Sequence, residues 1–162
     1  NLSGILLYPD YFNEDLEFDS KGQLRNIGGL VGSGRFEKQM ILSKKALYHG
    51  FANTTDKSNT GIHEFVHLID KIDKVTDGVP ERLLKHQYAI PWLKLIYKEM
   101  EALNDNHSDI RKYGGTNEAE FFAVASEYFF ERPDLLKKKH PELYKMLVEC
   151  FRQEPSSGNN YG

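Results

Sequence analysis

Apolar and polar positions recur along this chain in patterns that change near residue 44. Residues 3–8 (Ser-Gly-Ile-Leu-Leu-Tyr) are a short apolar run closed by Pro9-Asp10, which predicts a short buried strand. Gly22, Gly28, Gly29, Gly32 and Gly34 punctuate the stretch around Leu24–Val31, predicting extended segments joined by turns. Residues 38–43 predict another strand, and residues 44–50 a short helix ending at Gly50. The polar run 53–60 reads as a loop whose end can cap a helix. From Gly61 onward, Ile62, Phe65, Val66, Ile69 and Ile72 recur at spacings of three and four, which predicts a helix with these residues on its core face. After a loop over 73–80, residues 90–103 predict a second long helix, with Trp92, Leu93, Ile96 and Tyr97 as core. Residues 104–116 are polar and glycine-containing, hence loop. Thr116 or Asn117 would cap a strongly apolar helix running to about Glu131 and stopped before Pro133. Helical pieces over 134–139 and 141–153 follow, then a Ser/Gly/Asn tail from Pro155 that is expected to be disordered. The pattern is α+β, early strands followed mainly by helices, with one domain over 1–154 and a tail over 155–162.

Composition narrows the picture. The 162 residues carry 21 Lys+Arg against 24 Asp+Glu, a net charge of −3, which argues against a general nucleic-acid coat. No apolar run approaches the roughly eighteen residues needed to span a bilayer. Cys150 is the only cysteine, so an intrachain disulfide and a thiolate-rich zinc cluster are both excluded. A lone cysteine agrees with a reducing compartment, and the expected location is cytoplasmic. The chain opens at Asn1 rather than Met, so a longer protein with further N-terminal residues is expected. Lys137-Lys138-Lys139 reads as a solvated helix face, and His49, His86, His107 and His140 as surface histidines.

His63-Glu64-Phe65-Val66-His67 is the feature that carries chemistry. On a helix, positions four apart differ by about 40° around the axis and sit about 6 Å apart along it. Both imidazoles can therefore bind one zinc ion at about 2.0–2.1 Å. Glu64 follows the first histidine, which points its carboxylate toward the open coordination position. There it can take a proton from a zinc-bound water and later pass it to a leaving amine. The plain alternative is two ordinary histidines on an amphipathic helix. Against it, Ile62, Phe65, Val66 and Ile69 already supply a core face, leaving His63 and His67 as a separate polar stripe.

A catalytic zinc needs a third protein ligand. One familiar extension places Gly three and His six residues after the second histidine, but Asp70 and Asp73 stand there, so that class is excluded. A carboxylate from a second helix remains, and the segment 117–127 is the candidate. Ala119, Ala123 and Ser126 recur at i, i+4 and i+7, permitting close helix packing, while Glu120, Val124 and Glu127 lie on an adjoining stripe. A carboxylate among Phe121, Phe122 and Val124 is costly to bury unless it is paired or bound to metal. Spacing alone leaves both Glu120 and Glu127 open, with Glu118 and Glu131 read as solvated. Asp70 could accept a ring N–H from His67, or simply cap or solvate the helix.

The stretch His63 to Asp70, the later Asp77-Gly78-Val79-Pro80 and the run Ala119 to Phe130 together resemble the Mlc titration factor A family. Leu7-Tyr8-Pro9 and Ile41-Leu42-Ser43 also match family stretches, and the likeness extends to about Gln153. Members are zinc-dependent peptidases whose catalytic domain is similar to that of anthrax lethal factor. The resemblance implies a zincin-like fold, Glu120 as third zinc ligand beside His63 and His67, and Tyr113 as an active-site tyrosine assisting the transition state. It implies a peptide or protein substrate. It also implies a competing role, since family members are associated with sequestering a transcriptional repressor of sugar-uptake genes. A purely structural zinc is a further rival, disfavoured because structural sites usually close all four positions with protein ligands. Two departures stand out: members usually carry Pro where Glu118 stands, and an acidic residue shortly before the tyrosine where this chain has Arg111-Lys112. The family also normally has more chain N-terminal to the strand at residue 3.

Overall fold

The computed structural model describes residues 2–13, 15–16, 27–32 and 38–157. Gly22, Leu24 and Gly34 of the glycine-rich stretch lie outside the described residues, as do 158–162. Among the described residues, three strands form one sheet: β1 (Gly4–Tyr8), β2 (Gly29–Val31) and β3 (Gln39–Ser43), in the order β1-β3-β2. β1 runs parallel to β3 with Gly4 opposite Gln39, and β2 runs antiparallel with Gly29 opposite Leu42. Central β3 buries Met40, Ile41 and Leu42. β1 departs from expectation. Ile5 and Leu7 are 54% and 51% exposed, because an edge strand is paired on one side only and no other described element packs broadly on it.

Six α-helices follow among the described residues: α1 (Lys44–Ala52), α2 (Thr60–Asp70), α3 (Ala89–Asn104), α4 (Glu118–Glu131), α5 (Pro133–Lys139) and α6 (Pro141–Phe151). Their starts follow from local chemistry. The side chains of Ser43, Asn59 and Asn117 accept N–H bonds from Ala46, Ile62 and Glu120, satisfying donors that a helix start would otherwise orphan. Proline opens α5 and α6, where its missing N–H costs nothing. Short 3-10 turns at 71–73, 86–88 and 112–115 join these pieces. Pro155–Ser157, where a disordered tail was expected to begin, also form such a turn. Tyr144 Oη and Ser156 Oγ are hydrogen-bonded at 2.6 Å, which holds this turn against α6.

α4 lies at the centre. Phe121 through Phe129 are all buried, the signature of a helix covered on every side. Trp92, Phe122, Phe129, Leu136, Leu143 and Leu147, from α3 to α6, complete this core. The small residues Ala119, Ala123 and Ser126 are buried on α4, which packs closely along α2. Tyr97, expected in the core, is 56% exposed on the outer face of α3. His140, expected at the surface, is instead clamped between Glu99 Oε2 at 2.7 Å and Asp109 Oδ1 at 2.9 Å. Asp109 also pairs with Lys57 and Lys139 and accepts from Tyr128 Oη. Burial works against its charge, but these four partners hold its carboxyl well below the usual range.

Gly78 joins three elements at one point. Its N–H donates to Asp70 at 2.9 Å, and its carbonyl accepts the Trp92 indole N–H at 2.7 Å. Its φ is +75°, and a Cβ there would lie 2.3 Å from the backbone carbonyl oxygen of Glu118. No other residue fits at this junction. Gly78→Ala is expected to cost about 2 kcal/mol or more of stability in urea unfolding, since both backbone strain and a backbone clash oppose it. Gly4→Ala, where nothing lies within 4 Å of the added Cβ, is the control and should change stability little.

Candidate metal centre

α2 turns His63, Glu64, His67 and Asp70 toward α4 and β2 and leaves Phe65 outward, 58% exposed, while Ile72 falls in the 3-10 turn after the helix and is 51% exposed. This reverses part of the expected core face: Val66 is buried, Ile62 and Ile69 are half-buried, and Phe65 and Ile72 are not core. Helix packing against α4 decides which side is inside, and that side carries the polar residues.

There the two imidazoles meet a carboxylate from α4. His63 Nε2 and His67 Nε2 lie 3.1 Å apart, and Glu120 Oε2 lies 3.0 Å from the first and 3.4 Å from the second. Four ligands around one zinc at 2.0–2.1 Å would stand roughly 3.3 Å apart, so the three edges fit one face of such a tetrahedron. A second feature agrees with a shared cation. Glu120 Oε2 is buried without a hydrogen-bond partner among the described residues, which a cation held between it and the two imidazoles would answer. Burial would raise the Glu120 pKa, but the two imidazoles beside it hold it well below the usual carboxylate range. Burial alone would lower the His63 pKa. The Glu120 and Glu127 carboxylates override it and hold the ring up at about 9.

Glu64 sits beside this group, buried against β2. Burial raises its pKa; His63, His67 and the Val31 N–H act in the opposite direction without cancelling it. A Cβ at Gly29 would stand 2.5 Å from Glu64 Cγ, so glycine at that strand position is what lets the carboxyl lie against β2. Tyr113, in the turn before α4, is 41% exposed with its ring centroid 5.8 Å from that of His63. A cleft of about 1,050 Å³ runs over all five side chains, walled by β2 on one side and by residues 111–120 on the other.

Glu127 occupies a different place. Its Oε1 is 2.8 Å from His63 Nδ1, the far nitrogen of the ring, while the three grouped ligand atoms lie within 4.8 Å of one another without it. It also accepts the Asn59 backbone N–H and the Arg111 guanidinium. Asp70 is buried and accepts from Gly78 with Oδ2. Its Oδ1 and His67 Nδ1 are both buried without a hydrogen-bond partner among the described residues. Burial raises the Asp70 pKa to about 6, and Asp77 and Asp73 act in the same sense. Sequence reasoning placed Glu127 among possible metal ligands but missed its link to His63, and it noted Arg111 only as a departure from the family pattern, not as a partner of Glu127. Only the seven-residue spacing between Glu120 and Glu127, nearly two helical turns, hinted that both face α2.

Residues 1–152 match the family described as glucose-regulated metallo-peptidase M90. The chain belongs to this family. An uncharacterized protein of Synechocystis sp. is 31% identical over 162 residues, covering 95% of this chain and 58% of its own length. Mlc titration factor A of Serratia proteamaculans is 31% identical over 161 residues, covering 93% and 60%. Mlc titration factor A of Escherichia coli (strain SMS-3-5) is 29% identical over 161 residues, covering 93% and 59%. The M90 chain thus spans about three fifths of the length of the curated relatives it matches. Membership suggests a metallopeptidase. No helix among the described residues is long and apolar enough to cross a membrane.

In the metal-stripped M90 chain, His63 should titrate near pH 9 by histidine-selective NMR, against an ordinary value of 6.5. A raised folded pKa means a contribution to stability that is fully present below about 6.5 and is lost as pH rises through about 9. A His63 midpoint at or below 6.5 would contradict the pairing with Glu120 and Glu127.

Proposed function

We propose that this chain is the catalytic part of a zinc-dependent peptidase, with a zincin-like arrangement in which the His63–His67 helix packs against the helix bearing Glu120. The observation that carries the reading is the convergence of His63 Nε2, His67 Nε2 and Glu120 Oε2 at 3.0–3.4 Å beside buried Glu64. Those three atoms would hold the ion, and the donor set of two imidazoles and one carboxylate is that of known catalytic zinc sites. Zinc bound there supplies Lewis acidity, polarising a carbonyl and lowering the pKa of water toward about 7.

The rest of the chemistry belongs to the chain. The Glu64 carboxylate accepts the proton of the attacking water and delivers it to the leaving amine, and the burial that raises its pKa suits a group that must both take and release a proton. The Tyr113 hydroxyl, next to the His63 ring, donates a hydrogen bond to the scissile carbonyl oxygen as that oxygen gains charge. The cleft of about 1,050 Å³ between β2 and residues 111–120 would receive a peptide or protein segment.

A second reading follows from the relatives named Mlc titration factor A: this chain binds a transcriptional repressor protein, with the zinc mainly structural. Substitution separates the two. Glu64→Gln should keep about one zinc per chain while peptide turnover falls by roughly 10²–10⁴, and repressor capture, if present, should persist. Glu120→Ala should lose the zinc itself, measured by metal analysis after purification without chelator. Turnover that survives both Glu64→Gln and zinc removal would exclude this mechanism, whereas a zinc-loaded parent that cleaves no peptide yet captures the repressor would leave the binding role.

A further inference from the structure

The His63 ring has two faces to satisfy, and the structure treats them differently. Nε2 points to the space shared with His67 and Glu120, whereas Nδ1 meets Glu127 Oε1 at 2.8 Å. An imidazole that gives its Nε2 lone pair to a cation must carry its proton on Nδ1, and that proton needs an acceptor. Glu127 is that acceptor. Its side chain is 1% exposed, and its two oxygens are otherwise spent on the Asn59 N–H and on Arg111.

These partners make it more than a local hydrogen bond. A buried carboxylate survives as an anion only when donors surround it. Here one donor is the backbone at the N-cap of α2, the helix that carries both histidines. The guanidinium comes from two residues before Tyr113, and the carboxylate itself stands on α4, seven residues after Glu120. We propose that Glu127 is the positioning residue of this site: it fixes His63 in the Nδ1–H form and sets the ring's angle, so that Nε2 is presented to the metal. This rests on the metallopeptidase reading above and names a residue that acts through His63 rather than on substrate.

The probe is zinc alone. Chelator-stripped parent, Glu127→Gln, Glu127→Asp and Glu120→Ala proteins are titrated with zinc against a competing chelator, and thermal unfolding of each stripped protein is followed alongside. Glu127→Gln should bind zinc 10- to 100-fold more weakly. Glu127→Asp keeps the charge but draws it back by one methylene, and should fall between parent and Glu127→Gln. In the zinc-loaded parent with ¹⁵N-labelled histidine, His63 should show a slowly exchanging, hydrogen-bonded proton on Nδ1. That measurement needs no substitution, so it decides the question even where a variant does not fold. A parent that binds zinc while Glu127→Gln binds it equally well, or a His63 that binds zinc through Nδ1, overturns the positioning role alone. A parent that takes up no zinc overturns the metallopeptidase reading together with it.

Discussion

A carboxylate sealed between packed helices must be answered by donors, and the donors of Glu127 come from several parts of the chain. The Asn59 N–H, the His63 ring and the Arg111 guanidinium all converge on it. Any shift of α2 along α4 would break one of these contacts and leave charge buried without a partner. Truncating one partner of such a buried cluster typically costs about 3–5 kcal/mol. The register between the two site helices is therefore held by an electrostatic requirement as well as by the small residues Ala119, Ala123 and Ser126 that let them approach.

A second polar cluster forms around Asp109. Asp109 gathers Lys57, Tyr128, Lys139 and His140, and His140 in turn reaches Glu99 on α3. Lys57 leads into the N-cap of α2, and its ammonium lies 4.4 Å from the centre of the Tyr128 ring. The loops entering α2 and α4 are thus tied to the helical core from both ends. The peptidase chemistry proposed for the cleft would need this kind of support, because reacting groups displaced by about 1 Å can lose on the order of a hundredfold in rate.

The polar lining of the site also explains where amphipathic reasoning failed. The apolar stripe read from the sequence contained Phe65 and Ile72, yet Phe65 faces outward on α2, Ile72 is exposed in the turn after it, and Glu64 and Asp70 are buried. Burying Glu64 costs stability unless its surroundings compensate, and here Gly29, the Val31 N–H and the two imidazoles make room for it. β1 shows a related effect. Its apolar run predicted a buried strand correctly in type but not in burial, since burial depends on neighbours that a strand's own residues do not specify.

What the sequence determined by itself was local. Helix starts at Ser43, Asn59 and Asn117, proline openings at 133 and 141, and the four-residue spacing of His63 and His67 follow from chemistry within a few residues of each other. The strongly apolar run up to about Glu131 was likewise legible in the sequence, though its place at the centre was decided by packing. Tertiary structure decided everything that depends on distance in space. It chose Glu120 over Glu127 for the space shared by the two imidazoles, turned Glu127 to the far side of the His63 ring, and drew His140 inward. Both glutamates lie on one helix face less than two turns apart, so helical period alone cannot separate them. Only the position of α2, set by contacts many residues away, brings one carboxylate to Nε2 and the other to Nδ1.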